Sequence, residues 1–134
     1  MKISQCASKL IVCHLTVLLI SGLFGISSYA EPTHVRIEAV TGIGYAVDWV
    51  EVNYTAANGS SEHIRRDRNI PLGQEATITV PDGATNIRIE AKPLGSVRST
   101  RIFNNLNLTS GQNHCFHLKG SVNGPRYERV NCGF

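Results

Sequence analysis

Beyond residue 30, the sequence has no long apolar run and no large excess of charge of either sign. It has only two cysteines. Residues 31–134 carry eleven lysines and arginines against ten acidic residues, which leaves a net charge of +1. A domain so close to neutral lacks the basic surface that nucleic-acid binding requires, and that class is excluded. No window has apolar residues at a sustained 3.6-residue period, which excludes a helical fold.

Motifs of catalysis and metal binding are also missing. No Gly-x-Ser-x-Gly sequence marks a nucleophile. Asp48 and Glu51 lie three positions apart, and so do His114 and His117. On a strand this spacing predicts side chains on opposite faces, which suits neither paired carboxylates nor a zinc site with about four ligands. We therefore predict a protein that is not an enzyme and that holds no metal and no cofactor.

The first thirty residues have the layout of a secretory signal peptide. Lys2 and Lys9 precede an apolar stretch at residues 10–26, and Ser28-Tyr29-Ala30 offers small residues where a signal peptidase cuts. We predict cleavage between Ala30 and Glu31, the alternative being an uncleaved membrane anchor. The expected division is a signal peptide at 1–30 and one domain at 31–134, secreted to the extracellular space or the periplasm.

Two cysteines remain after this cleavage, Cys115 and Cys132. An exported chain with two cysteines usually pairs them, so we predict a disulfide. The alternatives are two separate buried thiols or a reactive thiol.

Short stretches of β-forming residues fill the predicted domain. Apolar and polar residues alternate at 35–39, 76–80, 87–91 and 114–118. The turn signals between the stretches are Asn58-Gly59, Pro71-Leu72-Gly73, Pro81-Asp82-Gly83, Pro93-Leu94-Gly95, Ser110-Gly111 and Asn123-Gly124-Pro125. Alternation and turn spacing predict an all-β sandwich of two antiparallel sheets with seven or eight strands. Trp49, the only tryptophan, is predicted to lie in the core.

The densest charge lies at residues 63–68. Arg65, Arg66 and Arg68 form a candidate patch for an anionic surface such as lipid headgroups or sulfated sugars. The alternative is the polar face of an edge strand, where charge also blocks pairing between sheets.

Several segments, in order along the chain, resemble the C-terminal domain of thiol-activated, cholesterol-dependent cytolysins. Residues 46–54 (AVDWVEVNY) resemble its opening strand, and residues 84–92 (ATNIRIEAK) resemble its Ala-x-Asn-Ile-x-Ile-x-Ala strand. Residues 115–127 resemble its last strand and loop. The resemblance runs from about residue 34 to residue 130. It implies a β-sandwich that recognises a target membrane through loops at one end. The toxins' pore-forming domains precede this domain, so we expect no pore of that kind from the predicted mature chain.

Two loops depart from the family pattern. Residues 93–99 (PLGSVRS) stand where the family has a tryptophan-rich undecapeptide, and residues 121–124 (SVNG) stand where it has a Thr-Leu pair for cholesterol. Neither motif can be carried over, so cholesterol binding is implied by the family and undermined by these residues.

Two hypotheses follow. In the first, the chain is a secreted module that binds a cell-surface lipid, such as a sterol, or a glycan. Its contact residues would be Leu94, Val97, Arg98, Val122 and Asn123. In the second, it is a structural or protein-interaction domain, either a subunit of an assembly or an antagonist of a toxin, that has lost membrane recognition.

Overall fold

A computed structural model describes residues 30–40, 44–67 and 69–133. The predicted signal peptide, apart from Ala30, and Arg68 of the predicted arginine patch lie outside the described residues. Within the described ranges, no helix is long and apolar enough to cross a membrane.

Eight strands form two four-stranded sheets. The strands are β1 (Thr33–Glu38), β2 (Val47–Thr55), β3 (Ser61–Arg66), β4 (Glu75–Val80), β5 (Thr85–Pro93), β6 (Phe103–Leu108), β7 (His114–Ser121) and β8 (Gly124–Val130). Sheet A has the order β4-β1-β7-β8 and sheet B the order β3-β2-β5-β6. The predicted all-β sandwich is confirmed. One pair, β1 with β7, is parallel; no hairpin joins these two strands, so none fixes their relative direction.

The core lies between the two sheets and follows the predicted alternation. Val35 and Ile37 of β1, and Ile87 and Ile89 of β5, are at most 1% exposed. Fully buried side chains of β7 and β6 complete the centre, where the Phe103 and Phe116 rings meet edge to face at 5.0 Å. The alternation in these strands places apolar side chains inward and leaves the charged ones on the outer faces.

Successive connections alternate between the two ends of the sandwich, because each strand runs in the opposite direction to the strand before it. The β1–β2, β3–β4, β5–β6 and β7–β8 connections share one end, here called the loop end. Backbone links tie them together: Leu94 N donates to Ala46 O at 2.7 Å, and Gly73 N donates to Ala39 O. Gly44 forms a bridge with Ser121.

The opposite end carries the disulfide. Cys115 and Cys132 are bonded, with their Cα atoms 5.3 Å apart, as the sequence predicted. Cys115 pairs with Val130 in the β7–β8 ladder, so the bond fixes the far end of that hairpin.

Trp49 is not a core residue, which corrects the prediction from sequence. Val50 and Val52 take the inward positions of β2, so Trp49 lies half-buried on the outer face of sheet B. A register shift between Val47 and Trp49 marks a bulge, and it brings Asp48 to within 3.9 Å of the Lys92 ammonium. Asp48 pairs with Lys92 and Glu51 pairs with Arg65, both on the outer face, so the predicted opposite faces are wrong because the bulge breaks the simple alternation.

Candidate functional site

The loop end brings the residues of the two predicted loops to one side of the molecule. The segment from Gly44 to Ala46 lies between them, because Gly44 bridges Ser121 and Ala46 accepts a hydrogen bond from Leu94. Leu94, Val97 and Arg98 belong to one flanking loop, and Val122 and Asn123 belong to the other.

The β5–β6 loop presents two apolar side chains to solvent. Leu94 is 42% exposed and Val97 is 63% exposed, and Arg98 beside them is also exposed. Gly95 turns the chain at φ +75°. Ser96 Oγ donates to Pro93 O at 2.8 Å, and Thr100 N donates to Val97 O at 3.0 Å. These bonds stabilise the loop internally, and its apolar side chains face solvent.

Arg101 holds the base of this loop. Its Nη1 donates to Arg98 O at 2.6 Å and to Thr100 O at 3.1 Å. The guanidinium also lies 5.2 Å from the centre of the Trp49 ring and 4.0 Å from the Glu90 carboxylate. Sequence reasoning missed this role because Trp49 and Arg101 are far apart in the chain.

The β7–β8 turn exposes only one of its two predicted contact residues. Val122 is half-buried against the core, while Asn123 is exposed. Gly120 has φ +87°, and a Cβ there would collide with Gly124 O, so the turn requires glycine. Tyr45 Oη donates to Lys119 O at 2.9 Å and anchors the hairpin to the segment before β2. This turn therefore offers a polar group to a ligand.

Leu72 is a further apolar residue of the loop end, and sequence reasoning did not select it. It lies in the β3–β4 connection and is 47% exposed. Its position between Pro71 and Gly73 is the signal that could have found it, because this pattern is typical of a surface turn. Among described large apolar residues that are exposed, Leu72, Leu94 and Val97 share this end. The other one, Tyr127, packs against Phe103 at 4.7 Å.

The predicted arginine patch is divided between two faces. Arg65 points outward, pairs with Asp67 at 2.5 Å and Glu51 at 3.3 Å, and covers the Trp49 ring at 4.5 Å. The hydrogen bond from Arg65 to Asp67 is the main reason that the pKa of Arg65 is raised.

Arg66 is paired in register with the inward-facing Val50, so it points to the other side of β3. There it lines a groove of about 930 Å³ between β3 and β4. Arg65 borders the same groove, so both arginines line it although their side chains leave β3 on opposite faces.

His114 and His117 face opposite sides of β7. His114 is buried, and its Nε2 hydrogen-bonds Thr109 O at 2.8 Å. His117 Nε2 lies on the outer face, 3.2 Å from Glu38. In the described ranges, no cluster of three or more histidine, cysteine or acidic side chains could hold a metal ion.

Comparison with known proteins yields structural neighbours only. No family model and no curated protein matches the sequence. The fold is similar to listeriolysin O, with 17% identity and a TM-score of 0.52, over 75% of this chain and 22% of that chain. The membrane-binding domain of pneumolysin is similar with 8% identity and a TM-score of 0.53, over 75% of this chain and 97% of that chain.

A toxin described as Gram-negative is similar with 12% identity and a TM-score of 0.53, over 77% of this chain and 23% of that chain. The chain thus spans about a fifth of listeriolysin O and almost all of the isolated pneumolysin domain. At these identities the likeness establishes a shared fold. The resemblance inferred from the sequence is confirmed at that level.

Proposed function

We propose that this protein is a secreted, non-enzymatic recognition module that contacts a lipid surface through its loop end. The observation that carries the proposal is that Leu72, Leu94 and Val97, all exposed, belong to loops at that end. Three exposed apolar side chains at one end of a small domain make that end the candidate interaction surface. The fold shared with the membrane-binding domain of pneumolysin supports a membrane as the partner.

The expected affinity is low. Fully burying a leucine or valine stabilises by about 1.5–3 kcal/mol, so three half-exposed side chains contribute about 3 kcal/mol. One arginine near an anionic membrane adds about 1 kcal/mol, and Arg98 is placed to do so. A total of about 4 kcal/mol corresponds to a Kd of about 1 mM. Binding should therefore be reversible and should need anionic lipid as well as apolar contact.

A sterol requirement is not expected. Ser121 and Val122 stand where the resembled family has its Thr-Leu pair, and Val122 packs against the core. The β5–β6 loop has no aromatic side chain to settle at the membrane interface.

Flotation of the 31–134 protein with vesicles tests the proposal, provided that the accessible lipid is kept well above the expected Kd of about 1 mM. Phosphatidylcholine vesicles with and without phosphatidylserine, each with and without cholesterol, separate the lipid requirements. We expect flotation with phosphatidylserine, weakened by high salt because exposed charges are screened. Leu94→Asp and Val97→Asp should abolish it.

Asn58→Asp is the matched control, because it makes the same charge change in an exposed turn at the opposite end. Equal flotation of the control and the loop variants would refute the site. Failure of the unaltered protein to float with every vesicle would refute the lipid surface, and would favour a glycan or protein partner instead.

A further inference from the structure

The edge strand β4 has unpaired backbone groups in a regular pattern. Ala39 N donates to Gln74 O at 2.9 Å, which marks these residues as a bonded pair just beyond the β1–β4 ladder. Bonded and non-bonded pairs alternate in an antiparallel ladder, so Ile37 with Ala76 and Val35 with Ile78 are bonded pairs. The N–H and C=O groups of Glu75, Thr77 and Thr79 consequently point to the open side of sheet A.

The other three edges of the sandwich carry features that discourage pairing. On β3 these are the charged Arg65 and Arg66. On β6, Asn105 has φ +50° beside a register shift, which distorts the edge. On β8, Pro125 removes a donor and charged residues follow it. Such features are the usual protection of exposed edges.

Strand β4 lacks this protection after its first residue. Residues 76–80 (ATITV) contain no charge and no proline, and their register with β1 is continuous. Threonine, isoleucine and valine also favour strands. The edge is therefore suited to accept another strand.

We propose that β4 pairs antiparallel with β4 of a second copy of this chain, with a two-fold axis through Thr77. This axis is perpendicular to the sheet. Residues that face the core in one copy therefore lie opposite residues that face the core in the other copy. Thr77 then lies opposite Thr77 of the second copy, and Glu75 lies opposite Thr79. Each of these is a bonded pair, because all three residues have free backbone groups towards the edge.

The alternative registers are less favourable, because an axis through Ala76 or Ile78 pairs only two of the three open residues with each other. An axis through Glu75 places two carboxylates directly opposite each other, which is destabilising. An axis through Thr79 places Thr77 opposite Pro81, which has no N–H to donate. With the axis through Thr77, the Glu75 carboxylate faces a threonine hydroxyl, and the two Glu75 side chains lie at opposite ends of the interface. This self-complementarity identifies a second copy as the occupant.

The inner side of the same edge is open to receive the second copy. The groove of about 930 Å³ runs between β3 and β4, and Ala76 and Thr77 line it. Ala76 is only half-buried. In the paired strands it lies opposite the buried Ile78 of the second copy, and the added strand would close the open edge beside it.

The two-fold axis reverses the strand direction, so the loop ends of the two copies point in opposite directions. If the loop end contacts lipid as proposed above, the dimer would bridge two membranes. This consequence rests on the proposed function, whereas the strand pairing does not.

Sedimentation equilibrium of the 31–134 protein over a range of concentrations tests the pairing. An interface made largely by one edge strand is small, so we expect a weak, concentration-dependent dimer. Thr77→Lys places two cations face to face at the axis and should raise the dissociation constant about two- to fivefold. Thr77→Pro should do the same, and its lost N–H faces the open edge, where proline is tolerated.

Ser61→Lys is the control, since it adds the same charge to the edge of sheet B. It should dimerise like the unaltered protein. A monomer at all concentrations up to about 1 mM would overturn the pairing. Dimerisation of the Thr77→Lys protein with unaltered affinity would overturn the use of this edge, whether or not the proline variant folds.

Vesicle turbidity separates the two proposals. The unaltered protein should aggregate phosphatidylserine vesicles, while Thr77→Lys should float with them and leave them dispersed. Absence of flotation for both proteins would refute the lipid contact and leave the sedimentation result as the test of pairing. Flotation with equal aggregation by both would refute bridging through β4.

Discussion

The Tyr45 phenol links two parts of the loop end at the scale of a single residue. Its side chain is buried, with only 4% of the residue exposed, and its hydroxyl donates to Lys119 O. Burial disfavours the phenolate and raises the pKa of Tyr45 from 10.0 to about 12. Since the folded pKa is raised, this contribution to stability is present below pH 10 and is lost as the pH rises from 10.0 to about 12.

Replacing Tyr45 with phenylalanine should have two effects. At neutral pH the free energy of unfolding should fall by about 1 kcal/mol, because one hydrogen bond is lost. Above pH 10 the variant should lose stability less steeply than the unaltered protein, because it has no phenol to ionise. Urea unfolding across this pH range measures both effects. Parallel pH curves for the two proteins would contradict the assigned role of burial.

The contact of Arg101 with Trp49 should couple the β5–β6 loop to sheet B. A cation over an aromatic ring at an exposed site contributes about 0.5–1 kcal/mol. A double-mutant cycle with Trp49→Ala and Arg101→Ala should give a coupling energy of that size. Arg101→Ala should also speed amide hydrogen exchange at residues 94–100, since two carbonyl partners are freed. Arg98→Ala is the control, and an equal acceleration in that protein would argue against Arg101 as the anchor.

At the scale of elements, β8 buries little and is tied to β7 by the disulfide. Most of its residues are exposed, and it is an edge strand bonded only to β7. The bond between Cys115 and Cys132 spans 17 positions and encloses the hairpin. Closing such a loop stabilises by about 3 kcal/mol on the chain-entropy model.

The Cys115→Ala, Cys132→Ala double variant should lose about that much free energy of unfolding, measured by urea denaturation. Vesicle binding should persist under conditions where the variant stays folded, because the disulfide lies at the opposite end from the loops. A double variant as stable as the unaltered protein would contradict this account of β8.

The strands differ in how much the sequence reveals of them. In β1, β5 and β7, the alternation of apolar and polar residues is enough to mark the core residues. Strands β3 and β8 bury little and carry no such pattern. The parallel pairing of β1 with β7 depends on contacts between distant segments, which local pattern does not encode.

The position of the loop end could be predicted in part from the order of the strands. The β5–β6 and β7–β8 connections fall at one end because two strands, β6 and β7, lie between them in the chain. The half-burial of Val122 and the outward position of Trp49 depend on packing between elements and on a bulge, so alternation alone could not give them.

At the scale of the whole molecule, the sandwich begins almost at the predicted cleavage site. Thr33 opens β1, is buried, and its Oγ1 accepts a hydrogen bond from Gly111 N at 2.7 Å. Cleavage after Ala30 would leave Glu31 and Pro32 ahead of the strand and remove no described contact of β1. Expression of the full chain in an exporting host should therefore give a secreted protein that begins at Glu31. Intact mass and N-terminal sequencing check this, and a secreted protein that keeps residues 1–30 would refute the cleavage.

The two ends of the sandwich differ in chemistry, so membrane contact should be one-sided. A single environment-sensitive fluorophore can report this from either end. Ser99→Cys places the label in the exposed β5–β6 loop, and Asn58→Cys places it in the exposed β2–β3 turn at the far end. With phosphatidylserine vesicles the label at position 99 should shift to shorter wavelengths as water is excluded, while the label at position 58 should stay unchanged. Because the proposed dimer points its loop ends outward in opposite directions, this contrast should hold for both the monomer and the dimer. A shift at position 58 alone would mean that the molecule meets the membrane by its disulfide end, and the apolar loop residues would then need another partner.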